Sequence, residues 1–447
     1  MRCVDGPSRY AAWTVRSPRT LFVALAVILA VSACGDDDSV TTSTAGATTS
    51  SSSTRPTSGD TGQELAPELQ ELVEAAERVR GLSFLVTPTI TQLAPDDFQE
   101  RVRGLIEDEI DLEELAIDQA LFELLGILDP GTDLGQAFSD LYAEQVGGFY
   151  DDDAGEMVVP TGEEITPLFK TIIVHELIHA LQDQHFRYSD IHDRLIEEEL
   201  SEESAALQAL LEGDAQYFQL VYFEEMTTDE QVAVITESLA VDTTMLDSLP
   251  GWLGESLYFP YDQGYNFVER LVVDGGIAGV DAAYERIPTT TEQIMHPGKY
   301  SSLEGALPVS LPDTAVDGYE VVREDVFGEW STDLVLLDGV SDGTAVVAAA
   351  GWGGDAFRLF WNGVDVALVL EWVGETPRDA EELEAALVSS LRSSMNVGQP
   401  QTDSDAGTST MVGGDYAFVD RDRSTVVLVI AGDPTVGALL ATAVAVG

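Results

Sequence analysis

The stretch from Thr166 to Phe186 (TPLFKTIIVHELIHALQDQHF) constrains the fold more than any other part of the chain. Thr166 followed by Pro167 reads as a helix start, with threonine as N-cap and proline at the first helical position. Ile172, Ile173, Val174, Leu177, Ile178 and Leu181 then make that helix apolar nearly all round. Such a helix has no face to give to water, so other elements must enclose it. His175, Glu176 and His179 stand inside the enclosed stretch, where polar groups need partners.

Histidines four apart on a helix leave one face together and can grip one ion at about 2.0 to 2.1 Å, which makes His175 and His179 predicted zinc ligands. Glu176 then lies beside the open coordination position. A zinc ion lowers the pKa of a bound water to about 7, and a neighbouring carboxylate can take that proton as the oxygen attacks an amide carbonyl, then pass it to the leaving amine. The chain has only five histidines, so the pattern seldom arises by accident.

A tetrahedral site needs a third protein ligand, and two candidates compete. His185 lies six residues after His179, the spacing of HExxHxxGxxH. That arrangement needs a sharp turn at a glycine, and the position here is Gln182, a good helix former. On a continuous helix His185 faces away. Glu212, in SAALQALLEGDAQYF, is the better candidate of the two, the alternative being an ordinary surface glutamate in a chain this acidic. The following Gly213 costs about 1 kcal/mol relative to alanine in a helix interior, so it marks a close contact. Ala209 and Ala215 keep the same face small. A second long helix, from about Glu199 to Phe223, carries these residues.

The rest of the chain predicts an α+β organisation. Residues 1–33 resemble an export signal: Arg2, Arg9, Arg16 and Arg19 precede an apolar run from Leu21 to Val31. Ser32 and Ala33 before Cys34 resemble a lipobox, which makes Cys34 the expected lipid anchor; ordinary cleavage after Ala33 is the alternative. The remainder of 34–65 is a Ser/Thr-rich tether. A helix-rich region follows over 66–328. It opens with Pro67 and a helix stopped at Gly81, and it contains a β-hairpin at Val146 to Pro160. That hairpin is expected to offer an edge strand, Glu156 to Val159, for an extended peptide. A strand-rich segment occupies 329–447, with Asn362-Gly363 as a hairpin turn, and no internal repeat is expected.

Eighty acidic against 21 basic residues, a formal net charge of −59, argue against nucleic acid or anionic lipid as partners. Cys3 and Cys34 are the only cysteines, so the chain beyond residue 34 forms no internal disulfide.

HELIHALQDQHF, EGDA at Glu212 to Ala215 and TTEQIMHPGKY at Thr290 to Tyr300 together resemble a group of exported bacterial gluzincin-type metallopeptidases, distantly related in site design to thermolysin. GFYDDDAGEMVV and GWGGDAFRLFW also resemble that group's segments. The resemblance implies a zincin-like core, zinc held by His175, His179 and Glu212, Glu176 as base, and a peptide or protein substrate. It further suggests His296 as donor to the oxyanion, with Tyr261, Tyr265 and Tyr300 as competitors. Asp183 or Asp214 is expected to orient a zinc histidine. The expected function is a membrane-tethered extracytoplasmic zinc peptidase. The rival is a zinc-binding or scaffold lipoprotein without turnover, which has no need of Glu176.

Overall fold

The computed structural model describes residues 21–25, 66–109, 112–137, 146–151, 154–160, 165–241, 251–337, 339–403 and 408–445. Cys34 and the tether lie outside the described residues. Among the described residues no helix is long and apolar enough to cross a membrane.

In chain order the first part holds β1 (Leu21–Leu25), α1 (Pro67–Arg80), β2 (Thr89–Leu93), α2 (Pro95–Glu109), α3 (Leu112–Leu125), β3 (Val146–Asp151) and β4 (Glu156–Pro160). Helices follow: α4 (Pro167–Phe186), α5 (Tyr188–Glu197), α6 (Ser201–Glu225), α7 (Thr228–Ser238), α8 (Gly251–Gly275), α9 (Ile277–Glu285), α10 (Thr291–Met295) and α11 (Pro297–Ser302). The remainder is β5 (Glu320–Asp325), α12 (Gly328–Leu337), α13 (Asp342–Ala349), β6 (Trp352–Trp361), β7 (Val366–Gly374), α14 (Pro377–Ser394), β8 (Gln401–Asp403), β9 (Thr408–Val412), β10 (Tyr416–Asp422), β11 (Thr425–Ala431) and α15 (Pro434–Val444). The architecture is α+β, with a strand-rich C-terminal part.

α4 starts as its sequence dictates: the Thr166 side chain accepts from Phe169 N. Every residue from Thr171 to Gln182 is buried. Ile173, Val174, Leu177, Ile178 and Leu181 pack with Leu72, Val73 and Val79 of α1, Met157 and Val159 of β4, and Ala215 and Phe218 of α6. The helix is therefore sandwiched between a small sheet and other helices, which its all-round apolar character requires.

That small sheet has the order β1-β3-β4-β2. β3 and β4 form the expected hairpin, Phe149 opposite Val158. The expectation that Glu156 to Val159 is an open edge is corrected. β4 is an interior strand, because Thr89–Leu93, in a stretch expected to be helical, pairs with it in parallel on its other side. The outer side of β3 pairs antiparallel with β1, part of the apolar run attributed to the export signal.

The second sheet has the order β5-β6-β7-β11-β10-β9-β8. The Asn362 side chain closes the β6–β7 turn, accepting from Val364 N and Asp365 N. Two hairpin–helix units, β6–β7–α14 and β10–β11–α15, each opened by Gly-Gly-Asp, meet where β7 pairs with β11. Their helices pack on opposite faces, so the units differ in how they end. The face under α14 also receives Ile117, Leu121 and Phe122 of α3 and Trp252 and Leu253 of α8. The sheet thus shares its core with the helical region.

Carboxylates crowd the joint between the two regions. Burial pushes Glu202 well above the usual range, although it accepts from Thr291 N and Oγ1. Burial likewise raises Asp355 and Asp333 to about 6 each, and Glu292 to about 7 against the pull of Lys299. An unfolded carboxyl titrates near 4. In the folded chain Asp355, Asp333 and Glu292 therefore hold protons between about pH 4 and 6 to 7, and the stability tied to them is lost as pH rises through that window. The chelator-treated protein should accordingly show a higher urea midpoint at pH 5.5 than at pH 7.5. A lower midpoint at pH 5.5 would contradict this account of the joint.

Candidate metal centre

His175 and His179, one turn apart on α4, and Glu212 of α6 converge on one point. The two Nε2 atoms lie 3.1 Å apart, and Glu212 Oε2 lies 3.2 Å from His175 Nε2 and 3.4 Å from His179 Nε2. Bonds of about 2.0 to 2.1 Å at tetrahedral angles separate ligand atoms by about 3.3 to 3.4 Å. The three donors therefore already stand close to the corners of a zinc tetrahedron. All three are buried, and among the described residues they are the one group of three or more His, Cys, Asp or Glu residues with this convergence.

Hydrogen bonds behind the rings make the donors fit a cation. Gln182 Nε2 donates to Leu211 O and Asp214 Oδ2, at 3.0 and 3.1 Å. Both partners are acceptors, so the Gln182 carbonyl must be the end facing His179 Nδ1, 2.8 Å away. Nδ1 then carries the proton and leaves the Nε2 lone pair free for a metal. His175 Nδ1 lies 3.1 Å from Gln219 Oε1, the same arrangement. Two ring lone pairs and a carboxylate oxygen facing one another repel unless a positive charge sits among them.

The acid–base balance of the three groups makes the same point. Burial holds His175 below its ordinary range against the opposing effect of Glu212. In His179 burial also lowers basicity, but the Glu212 carboxylate outweighs it and raises the ring to about 9. Burial opposes ionisation of Glu212, yet the two rings bring it down to about 2. The rings shift in opposite directions because they share one neighbour. The set keeps the carboxylate ionised and holds one positive charge beside it.

Glu176 is fully buried next to the donors in sequence and turns toward β3, where its Oε2 accepts from Tyr150 N at 3.0 Å. Gly147 suits this approach, since a Cβ there would sit 3.1 Å from Ile172 Cδ1 of α4.

The close contact expected at Gly213 is present, and its partner is α8. A Cβ there would meet the carbonyl carbon and oxygen of Gly264 at 2.1 Å, so α6 touches α8 backbone to backbone. That crossing brings Tyr261, next to Pro260 inside α8, to the site: its ring stacks 6.2 Å from that of His175.

Other candidates are placed elsewhere. α4 is continuous through Phe186, and His185 Nε2 lies 2.8 Å from Ser83 O, away from the other histidines. His296 has its own partner, Glu329 Oε1 at 2.9 Å. It follows α10, which docks on the first turn of α6 through Thr291 and Glu202, and ten residues of helix separate Glu202 from Glu212, about 15 Å. Among the described contacts none brings His296 to the three donors. Tyr300 bonds Arg286 O, and Tyr265 bonds Glu269. Asp183 accepts from Tyr150 and Ser189 rather than from a ring nitrogen, and Asp214 acts one step removed, through Gln182. The residues that orient the rings, Gln182 and Gln219, went unread because a helical glutamine carries no signal of its own.

No curated protein and no solved structure matches the chain. A family model described as a domain of unknown function (DUF8575) matches residues 317–443, which spans the second sheet and ends the comparison short of the three donors.

Proposed function

We propose that the chain is a zinc-dependent peptidase of the gluzincin type. The observation that carries this reading is the buried triangle of His175, His179 and Glu212 beside a buried, non-ligating Glu176. Zinc held there would supply Lewis acidity, lowering the pKa of a water at its open position to about 7. Glu176 would take a proton from the water as its oxygen bonds to the amide carbonyl carbon, and give it to the amine nitrogen as the C–N bond breaks. Tyr261, rather than His296, is the group we assign to the developing oxyanion, because its ring is the one beside the donors.

β3 supports a peptide as substrate. It is the strand that reaches Glu176, and its outer side already shows that it pairs with an extended apolar segment, Leu21–Leu25. Removal of the export signal expected from the sequence frees that side for a substrate strand, whose carbonyls then run past Glu176. In the same reading a lipid at Cys34 and the tether hold the catalytic region outside the cell membrane.

The test is hydrolysis of an unfolded protein such as casein by the purified protein. Activity should vanish with a zinc chelator and return on adding Zn2+. Hydrolysis that persists through chelation would remove the metal from the mechanism, and no hydrolysis by the zinc-loaded protein would favour the non-catalytic lipoprotein.

A further inference from the structure

We propose that Arg80, the last residue of α1, is a positioning residue for the metal ligand His179, acting through Asp214 and Gln182. The proposal rests on the metal-site reading above. Asp214 is fully buried, and its Oδ2 accepts from Gln182 Nε2 and from the Tyr284 hydroxyl, the latter at 2.7 Å. Arg80 Nε lies 2.9 Å from Oδ1 and 3.1 Å from Oδ2 of the same carboxylate. Arg80 Nη2 reaches Asp281 at 2.8 Å, and the guanidinium lies over the rings of Phe186 and Phe218. None of the Arg80 side chain is exposed.

The two ends of a glutamine amide have nearly the same shape, so sterics alone do not decide which end faces His179 Nδ1. What decides it is that both atoms opposite the NH2 group are acceptors. Leu211 O is a helix carbonyl with a fixed direction. The Asp214 carboxylate turns about its own side-chain bonds, and Arg80 and Tyr284 are what hold it. Orientation therefore passes from Arg80 to Asp214, from Asp214 to the Gln182 amide, and from the amide to the proton on Nδ1. If the amide turns over, its NH2 faces Nδ1 and the ring proton must move to Nε2, the atom a metal needs.

A buried ion pair is a poor source of net stability, so orientation is the better account of why a guanidinium is enclosed here. The consequence reaches beyond one side chain. α1 is the first described helix after the tether, 99 residues before His179, and on this account its docking is part of assembling the metal centre.

The experiment measures zinc affinity in the full chain, purified in detergent, by competition with a chromogenic chelator. Arg80→Met and Gln182→Met should each weaken Zn2+ binding by about 10- to 100-fold, the range for a group that orients a ligand. Because Arg80 acts through Gln182, the double variant should bind no more weakly than Gln182→Met alone. Arg80→Lys, which keeps the charge but loses the planar fork, should fall between parent and Arg80→Met. It also carries the test if Arg80→Met does not fold. Arg78→Met, on the same helix but exposed and paired with Glu225, should match the parent.

Affinity of Arg80→Met and Arg80→Lys within about two-fold of the parent, or additive losses in the double variant, would overturn the proposal. A parent that binds no zinc would instead sink the metal reading, and the proposal with it.

Discussion

Glu176→Gln should abolish hydrolysis while leaving the metal in place. Glu176 is not among the three donors, so the variant should still carry about one zinc per chain. Glutamine has the same shape and can still accept from Tyr150 N, which keeps the β3 contact. What it lacks is the ability to take a proton. The loss expected for a positioned general base is about 10²- to 10⁴-fold in kcat, with little change in KM. Activity within about ten-fold of the parent would take Glu176 out of that role.

The second large effect concerns the α6–α8 crossing. In an exposed helix, Gly213→Ala would stabilise by about 1 kcal/mol, since alanine is the better helix former. Here the added methyl would sit 2.1 Å from the Gly264 carbonyl, and a Cβ on Gly264 would meet Ala209 O at 2.1 Å. The atoms in the way are backbone, so a side-chain rotation cannot clear them. Overpacking of this kind costs about 1 to 3 kcal/mol, sometimes more, and it outweighs the propensity gain. Gly213→Ala should therefore lower the urea midpoint at unchanged m-value, and weaken zinc binding as α6 shifts Glu212. A raised midpoint would mean that the helices can separate without penalty.

These two residues mark what the sequence does and does not disclose. The local signals were legible: the Thr166 cap, the glycine that ends α1, the Asn362-Gly363 turn and the four-residue spacing of His175 and His179 each depend on neighbours in sequence. Gly213 signalled a close contact but not with what, because the identity of a packing partner is a property of the tertiary fold. That glycine and the resemblance of the surrounding motif both point to Glu212, and the structure brings its Oε2 within 3.4 Å of both ring Nε2 atoms.

Long-range pairings were out of reach. Thr89–Leu93 carries only five residues of strand pattern, and its role is set by β4, more than 60 residues later. Arg80 stands at a helix end and Gln182 inside a helix, where neither residue type carries a signal of its own; their meaning comes from Asp214, which neither adjoins in sequence. His296 is a case of the opposite kind. A lone histidine in a loop suited a catalytic role on sequence grounds, but Glu329 offers it an ion-pair partner, and that pairing raises its basicity, first through their hydrogen bond.

The most direct test of the metal centre is zinc per mole, by elemental analysis, in the purified chain beside its Glu212→Ala variant. The geometry of the three donors predicts about one zinc in the parent and much less in the variant. Full zinc retention without Glu212, or a parent that holds no zinc at all, would contradict it.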